Sequence, residues 1–93
     1  MPFSKQTPRA YTRANVFALG EDQIGVYGLF RKNDWIYIGK GDIRQRLLDH
    51  LNGDKPCITK AMPTHWVAEL WPKPDARMSQ LINELKPSCN KKV

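Results

Sequence analysis

The chain has 93 residues, 41% of them apolar, which suffices for one small domain with one core. It shows neither an apolar run of about 18 residues nor a charged-then-apolar signal at its N-terminus, so we expect a cytoplasmic protein without membrane contact. Fifteen Lys and Arg against nine Asp and Glu leave a net charge of +6, which favours a polyanionic partner without identifying one.

The N-terminal residues 1–20 are predicted to form an arm with one short helix. Residues 1–10 are polar and contain two prolines, so we expect no fixed structure there. Thr12 can cap a short helix that runs through Val16 and ends at Gly20. We expect this helix to cover part of the core.

A β-hairpin is predicted over residues 24–39. Residues 24–30 and 35–39 are mostly β-branched, aromatic or glycine, and turn-forming residues separate them. We expect Asn33 or Asp34 to take the left-handed position that a three-residue loop needs.

Side-chain alternation fixes the expected register of this hairpin. A three-residue loop over residues 32–34 sets Leu29 opposite Tyr37 and puts Tyr27 and Tyr37 on one face of the sheet. A loop of two or four residues would separate the tyrosines. The opposite, apolar face then contains Val26, Phe30, Ile36 and Ile38.

The clearest helix signal follows the hairpin. Asp42 is a typical N-cap with Gln45 three residues later, and Gly53 is a stop. Arg46 and His50 fall one turn apart, beside the apolar stripe of this helix, so we expect them where a helix edge meets the sheet. The stripe consists of Ile43, Leu47, Leu48 and Leu51.

The C-terminal part predicts a loop, a third strand and a last helix. Residues 54–63 read as a loop, residues 65–71 alternate as a strand, and residues 76–86 have the spacing of a helix with one buried face. Pro87 ends that helix. Its buried stripe is Met78, Leu81, Ile82 and Leu85.

The element order predicts an α+β domain. It is β-β-α-β-α after an N-terminal extension, which gives a small three-stranded antiparallel sheet flanked by helices. We therefore divide the chain into an arm (residues 1–20), a folded domain (residues 21–90) and a basic tail (residues 91–93).

Two tripeptides carry the strongest functional signal in the chain. They are Gly25-Val26-Tyr27 and Tyr37-Ile38-Gly39, followed by Arg46 and His50 on one helix edge and by the ending Lys86-Pro87-Ser88-Cys89-Asn90. This pattern resembles the GIY-YIG nuclease superfamily, as a small stand-alone domain. The resemblance covers about residues 24–90.

The resemblance implies a site that hydrolyses DNA phosphodiester bonds with Mg²⁺ or Mn²⁺. Its catalytic residues would be Tyr27, Tyr37, Lys40, Arg46 and His50. Tyr27 would activate water once Lys40 or a metal lowers its pKa, and Tyr37 would position the phosphate. Arg46 would clamp two phosphate oxygens and His50 would relay a proton. Nucleic-acid contacts are expected from Lys40, Arg44, Arg46 and Asn90.

One position departs from the family pattern. The metal-binding glutamate is expected twelve residues before Asn90, where this chain has Met78. A thioether cannot hold a hard cation such as Mg²⁺, which prefers carboxylate and water oxygens. The weaker substitutes are Asp75, Glu84 and Glu69.

Two hypotheses therefore stand side by side. The chain is either a metal-dependent endonuclease or a catalytically impaired GIY-YIG module that binds nucleic acid without cleaving it. Either would act on DNA by structure or damage rather than by sequence, because the chain has no room for a specificity domain. The sequence leaves the oligomeric state open.

The cysteines and tryptophans give weaker signals. Cys57 and Cys89 are too few and too far apart for a disulfide framework, so we expect them to be reduced. With His50 and His65 they lack the close pairs of a structural zinc site. The tryptophans either stack on exposed bases or belong to the core and its rim. They are Trp35, Trp66 and Trp71.

Overall fold

The computed structural model describes Phe3, residues 6–20 and residues 23–90, and the predicted basic tail lies outside these residues. The strands are β1 (Arg9–Ala10), β2 (Ile24–Arg31), β3 (Asp34–Asp42) and β4 (His65–Leu70). The helices are α1 (Arg13–Phe17), α2 (Ile43–Leu51), α3 (Pro56–Ala61) and α4 (Asp75–Leu85), and a 3-10 turn follows at Ser88–Asn90. In this part of the chain no helix has the length and apolar character needed to cross a membrane.

The strands form one antiparallel sheet in the order β1-β4-β2-β3, so the α+β class is confirmed. The sheet has four strands rather than three, because β1 pairs with β4 through Arg9 and Trp66. The expectation that residues 1–10 lack fixed structure is wrong for those that the structure describes. Phe3 is buried, and the amide of Gln6 bonds to the backbone N–H and C=O of Ala68 at 3.0 and 2.8 Å.

The predicted register of the hairpin is confirmed, but its loop is not. Leu29 lies opposite Tyr37 as expected. The turn nevertheless has two residues, Lys32 and Asn33, and Lys32 takes the left-handed position at φ +55°. A bulge at Ile36 adds back the residue that the shorter turn removes, so both tyrosines keep their face.

The sheet separates two apolar clusters because successive strand residues point to opposite faces. One face packs against α1, α2 and α3, and its buried residues are Val16, Tyr27, Leu29, Ile43, Leu47, Ile58 and Trp66. The other face packs against α4, and its buried residues are Phe3, Val26, Ile38, Val67 and Leu81. Ile36, at the bulge, is buried but lies outside both clusters as they stand in the described residues.

The predicted N-caps of α1 and α2 and the predicted stripe of α4 are confirmed, but α1 ends at Phe17 rather than at Gly20. Thr12 accepts a hydrogen bond from the N–H of Asn15, and Asp42 accepts one from the N–H of Gln45. The stripe of α4 packs on the second cluster. Asp75 is the first residue of α4.

The predicted loop over residues 54–63 contains a helix, α3. Pro56 stands in its first turn, where the missing N–H costs nothing, and Ile58 is buried under it. Met62 ends it in the left-handed region at φ +51°. With six residues and no side-chain cap, α3 depends on tertiary packing, which a local pattern does not show.

Cys57 and Cys89 form a disulfide, so the expectation of two reduced cysteines is wrong. Cys57 lies on α3 and Cys89 on the 3-10 turn, with their Cα atoms 5.7 Å apart. That separation is typical of a disulfide. The two residues are 32 positions apart in sequence, and only the fold brings them together.

Candidate functional site

Two tyrosines from neighbouring strands lie side by side on the sheet face that α2 covers. The rings of Tyr27 and Tyr37 have centroids 6.3 Å apart. Side chains from α2 and from the segment after it surround them. We call this group the tyrosine site, and it consists of Tyr27, Tyr37, Arg46, His50, Asp54 and Lys55.

A chain of hydrogen bonds joins three of these residues. Oη of Tyr27 lies 2.7 Å from Nε2 of His50, and Nδ1 of His50 lies 2.7 Å from Oδ1 of Asp54. A carboxylate only accepts, so Nδ1–H of His50 donates to Asp54 and Nε2 accepts from the Tyr27 hydroxyl. The network therefore assigns both the tautomer of His50 and the direction of the Tyr27 proton.

Burial sets the protonation states of Tyr27 and His50. Tyr27 is 0% exposed, and burial raises the pKa of its phenol well above the ordinary value of 10.0. Burial also lowers the pKa of His50 from 6.5, although the hydrogen bond to Asp54 opposes this shift. At neutral pH Tyr27 is therefore protonated and His50 is uncharged.

Tyr37 is the tyrosine that solvent reaches. It is partly exposed, and its hydroxyl forms no hydrogen bond within the described part of the chain. Its ring meets His50 edge-on at 5.2 Å, and Nζ of Lys55 lies 5.7 Å from the ring centroid. This geometry favours Tyr37, rather than the buried Tyr27, as the phenol that contacts a ligand.

Arg46 is held at the rim of the tyrosine site. Its side chain is 37% exposed, and Nη1 lies 3.4 Å from Oδ2 of Asp49. The guanidinium also interacts with the phenol of Tyr27, which raises the pKa of Arg46 against the effect of partial burial. A guanidinium has five N–H donors, so these contacts leave capacity for an anion.

Two other predicted residues, Lys40 and Arg44, do not join the tyrosine site. Lys40 lies opposite Val26, so its side chain belongs to the other face, where it forms an ion pair with Asp75. The Arg44 guanidinium lies 5.0 Å from the ring centroid of Phe17 on α1.

The side chain of Asn90 stabilises the fold by bonding to the backbone of β3. Its Oδ1 accepts from the N–H of Ile38 at 2.7 Å, and its Nδ2 donates to the C=O of Ile38 at 2.9 Å. Both ends of the amide are therefore used by β3. The predicted contact between Asn90 and nucleic acid stays a prediction, and it would compete with these bonds.

None of the residues predicted to hold a divalent cation lies at the tyrosine site. Met78 packs in the apolar cluster on the opposite face. Of the substitutes, Asp75 pairs with Lys40, Glu69 pairs with Arg77 at 2.8 and 3.1 Å, and Glu84 is exposed near the end of α4. No group of three metal-ligating side chains occurs among the residues that the structure describes.

The glycines of both tripeptides are explained by close contacts. A Cβ on Gly39 would overlap the ring and hydroxyl of Tyr27, which lies across β3 at that point. A Cβ on Gly25 would overlap the backbone of Glu69 on β4. Gly39 therefore makes room for the buried tyrosine, and Gly25 for the neighbouring strand.

Sequence reasoning missed Asp54 and Lys55, both of which lie just after α2. Asp54 stands four residues after His50, and a turn at Gly53, φ +85°, brings it back to the imidazole. A His-x-x-x-Asp spacing at the end of a helix is a signal for such a pair. Lys55 gives no such signal, because its contact with Tyr37 depends on the position of α3.

Comparisons with protein families, with curated proteins and with solved structures yield no match for this chain. Membership of the GIY-YIG superfamily therefore stays a prediction that rests on the motif residues.

Proposed function

We propose that this chain is a GIY-YIG-type domain whose tyrosine site binds a phosphate group of nucleic acid. One observation carries the proposal: Arg46 and Lys55 lie near the same imidazole that the partly exposed ring of Tyr37 contacts. Arg46 and Lys55 both lie close enough to His50 to lower its pKa, and the ring of Tyr37 meets the same imidazole. Two cations and a phenol donor suit a phosphate anion.

The charge of the whole chain supports the same partner. A net charge of +6 attracts a polyanion over a range set by the salt concentration. Arg46 can offer two parallel N–H donors to phosphate oxygens, while Lys55 adds a point charge beside them. The buried side chains of Tyr27 and His50 support the positions of Arg46 and Lys55 and do not contact the ligand.

Phosphodiester hydrolysis is the second candidate function. The observation that favours it is the bonded series Tyr27, His50 and Asp54, since the Tyr27 hydroxyl can pass its proton to Nε2 of the uncharged imidazole and receive in return the proton that the attacking water gives up. In this candidate Tyr37 contacts the attacking water, because it is the accessible phenol. No group of three metal-ligating side chains supports the reaction in the described residues, so the binding function is the stronger proposal.

The binding proposal is tested by fluorescence anisotropy with labelled DNA at several salt concentrations. We expect Arg46→Gln and Lys55→Gln each to weaken binding about tenfold and to flatten the salt dependence. Lys60→Gln is the matched control, because it removes the same charge from an exposed position on α3. Equal effects of Arg46→Gln and Lys60→Gln would refute a phosphate site at Arg46.

Nicking of supercoiled plasmid with Mg²⁺ or Mn²⁺ separates the two functions. Cleavage by the native chain that disappears in Tyr37→Phe and Arg46→Gln would establish hydrolysis at this site. If the native chain binds but does not cleave, hydrolysis is excluded and the binding function stands.

A further inference from the structure

The disulfide joins a weakly held helix to a firmly held turn. The helix, α3, has six residues and no side-chain hydrogen bond at its N-terminus, and a helix this short is not stable in isolation. Ile58 ties it to the apolar cluster beneath it, and Cys57 ties it to Cys89. One of the links that hold α3 is therefore a bond that can be reduced.

The 3-10 turn at the other end of the disulfide has contacts of its own. Pro87, directly before it, is fully buried, and the amide of Asn90 bonds to the backbone of Ile38 at 2.7 and 2.9 Å. Cys89 packs on the same apolar cluster as Tyr37. Breaking the disulfide therefore releases α3 from the turn and leaves the turn on β3.

Lys55 links α3 to the tyrosine site. It stands directly before α3, two residues from Cys57, and its C=O accepts the N–H groups of Ile58 and Thr59 in the first turn of the helix. Its Nζ lies 5.7 Å from the ring centroid of Tyr37. The position of this cation therefore depends on where α3 is held.

The residues before Lys55 are held independently of the disulfide. The carboxylate of Asp54 bonds to the imidazole of His50 at 2.7 Å, and the N–H of Asp54 donates to the C=O of Asp49 at 3.2 Å. Arg46 lies on α2, which the disulfide does not join. Loss of the disulfide should therefore free the cation that follows Asp54 and spare the rest of the tyrosine site.

Thiol–disulfide exchange can reach the bond from the side of α3. Cys57 is exposed, whereas Cys89 is partly buried. One thiolate of a dithiol reductant attacks Sγ of Cys57, and the sulfur of Cys89 leaves as a thiolate that takes up a proton. The second thiol of the reductant then displaces Cys57. The reductant becomes a disulfide, and the chain gains two electrons and two protons as two thiols.

We infer that the disulfide between Cys57 and Cys89 is a redox switch for phosphate binding at the tyrosine site. In the oxidised chain it holds Lys55 beside Tyr37, and reduction by a dithiol frees α3 and withdraws this cation. The inference rests on the proposed function, because phosphate is the ligand whose binding it controls. By thermodynamic linkage, a nucleic acid that binds the oxidised chain more tightly also protects the disulfide from reduction by the same factor.

Anisotropy with labelled DNA, on the oxidised chain and after treatment with dithiothreitol, tests the switch. We expect reduction to weaken binding by most of the roughly tenfold loss expected for Lys55→Gln, and reoxidation to restore it. Cys57→Ser/Cys89→Ser should bind like the reduced chain, and neither it nor Lys55→Gln should respond to the reductant. Lys60→Gln, at an exposed position on α3, is the matched control and should respond like the native chain.

Hydrogen exchange measured by mass spectrometry shows whether reduction acts locally. In the reduced chain, exchange should increase over residues 55–61 and stay slow over β2 and β3. Increased exchange throughout the sheet would show that the whole domain unfolds, and would overturn the switch in favour of a purely structural disulfide. At a fixed ratio of reduced to oxidised dithiothreitol, saturating DNA should raise the ratio of oxidised to reduced chain by the fold-change seen in binding.

The outcomes separate this inference from the proposed function. If Lys55→Gln weakens binding and reduction of the native chain does not, the switch is overturned and the phosphate site stands. The same follows if Lys55→Gln responds to the reductant as strongly as the native chain, since the effect then does not act through Lys55. Absence of any binding at low salt overturns the proposed function and the control of binding with it.

Discussion

The hydroxyl of Tyr27 donates a 2.7 Å hydrogen bond to Nε2 of His50, and both side chains are buried. This bond divides the roles of the two tyrosines. Tyr27 is part of the core and fixes the imidazole, while Tyr37 is partly exposed to solvent. The two tripeptides therefore provide one residue for the architecture of the site and one for contact.

Loss of the hydroxyl should lower stability at Tyr27 and weaken DNA binding at Tyr37. Tyr27→Phe leaves Nε2 of His50 buried without its donor, so we expect a loss of about 1–3 kcal/mol in the free energy of unfolding. Tyr37→Phe should change that free energy by about 0.5 kcal/mol or less and should weaken DNA binding instead. Urea unfolding and anisotropy measure the two effects. Equal destabilisation by both changes would contradict this division.

The stability of the domain should fall as the pH drops below the ordinary pKa of histidine. Burial lowers the pKa of His50 in the folded state from 6.5, so the unfolded chain binds more protons below that pH. The contribution of neutral His50 is therefore complete above about pH 6.5 and is lost as the pH falls. The urea midpoint between pH 7.5 and 5 should decrease for the native chain and vary less in His50→Gln. The exposed His65 provides the control, and an equal slope in His50→Gln and His65→Gln would refute the expectation.

Gly39→Ala should destabilise the fold because the added methyl group overlaps the ring of Tyr27. Overpacking of this kind costs about 1–3 kcal/mol. Gly20→Ala is the control, since its Cβ would meet the end of the flexible Gln23 side chain. Thermal unfolding followed by circular dichroism compares them. A Gly39→Ala variant as stable as Gly20→Ala would mean that Tyr27 does not lie across β3.

The disulfide between Cys57 and Cys89 should contribute to stability by restricting the unfolded chain. Closing a loop between residues 32 positions apart is worth about 3–4 kcal/mol in the chain-entropy description. A reducing agent should therefore lower the urea midpoint of the native chain and leave the double variant Cys57→Ser/Cys89→Ser unchanged. A thiol titration of the denatured, unreduced protein should find no free thiol, and two free thiols would refute the bond.

The elements that the sequence predicts well depend on local patterns. The cap at Asp42, the apolar stripe of α4 and the alternation around Tyr27 and Tyr37 each depend on neighbouring residues, and the structure confirms them. The elements that it misses depend on distant contacts. β1 has two residues and exists because β4 pairs with it, and α3 is fixed by the burial of Ile58.

The same contrast between local patterns and distant contacts applies to the candidate site. Placing Arg46 and His50 beside the tyrosines required helix periodicity and the register of the hairpin, both of which are local. Placing Asn90 required knowledge of which edge it occupies, whereas the face of Lys40 follows from the alternation along β3, which is local. Lys40 alternates with Gly39 and therefore points to the other face. The use of Asn90 by the backbone of Ile38 has no local sequence signal.

The amide of Asn90 has a consequence for how this domain behaves among other chains. β3 is an edge strand of the sheet, and an open edge strand is a template for pairing with a foreign strand. Asn90 occupies both backbone groups of Ile38 in the middle of that edge, and the disulfide at Cys89 anchors it there. At the other edge, β1 offers only two residues. Asn90 thus blocks the centre of the β3 edge against pairing with a foreign strand, and the disulfide ties the adjacent Cys89 to α3.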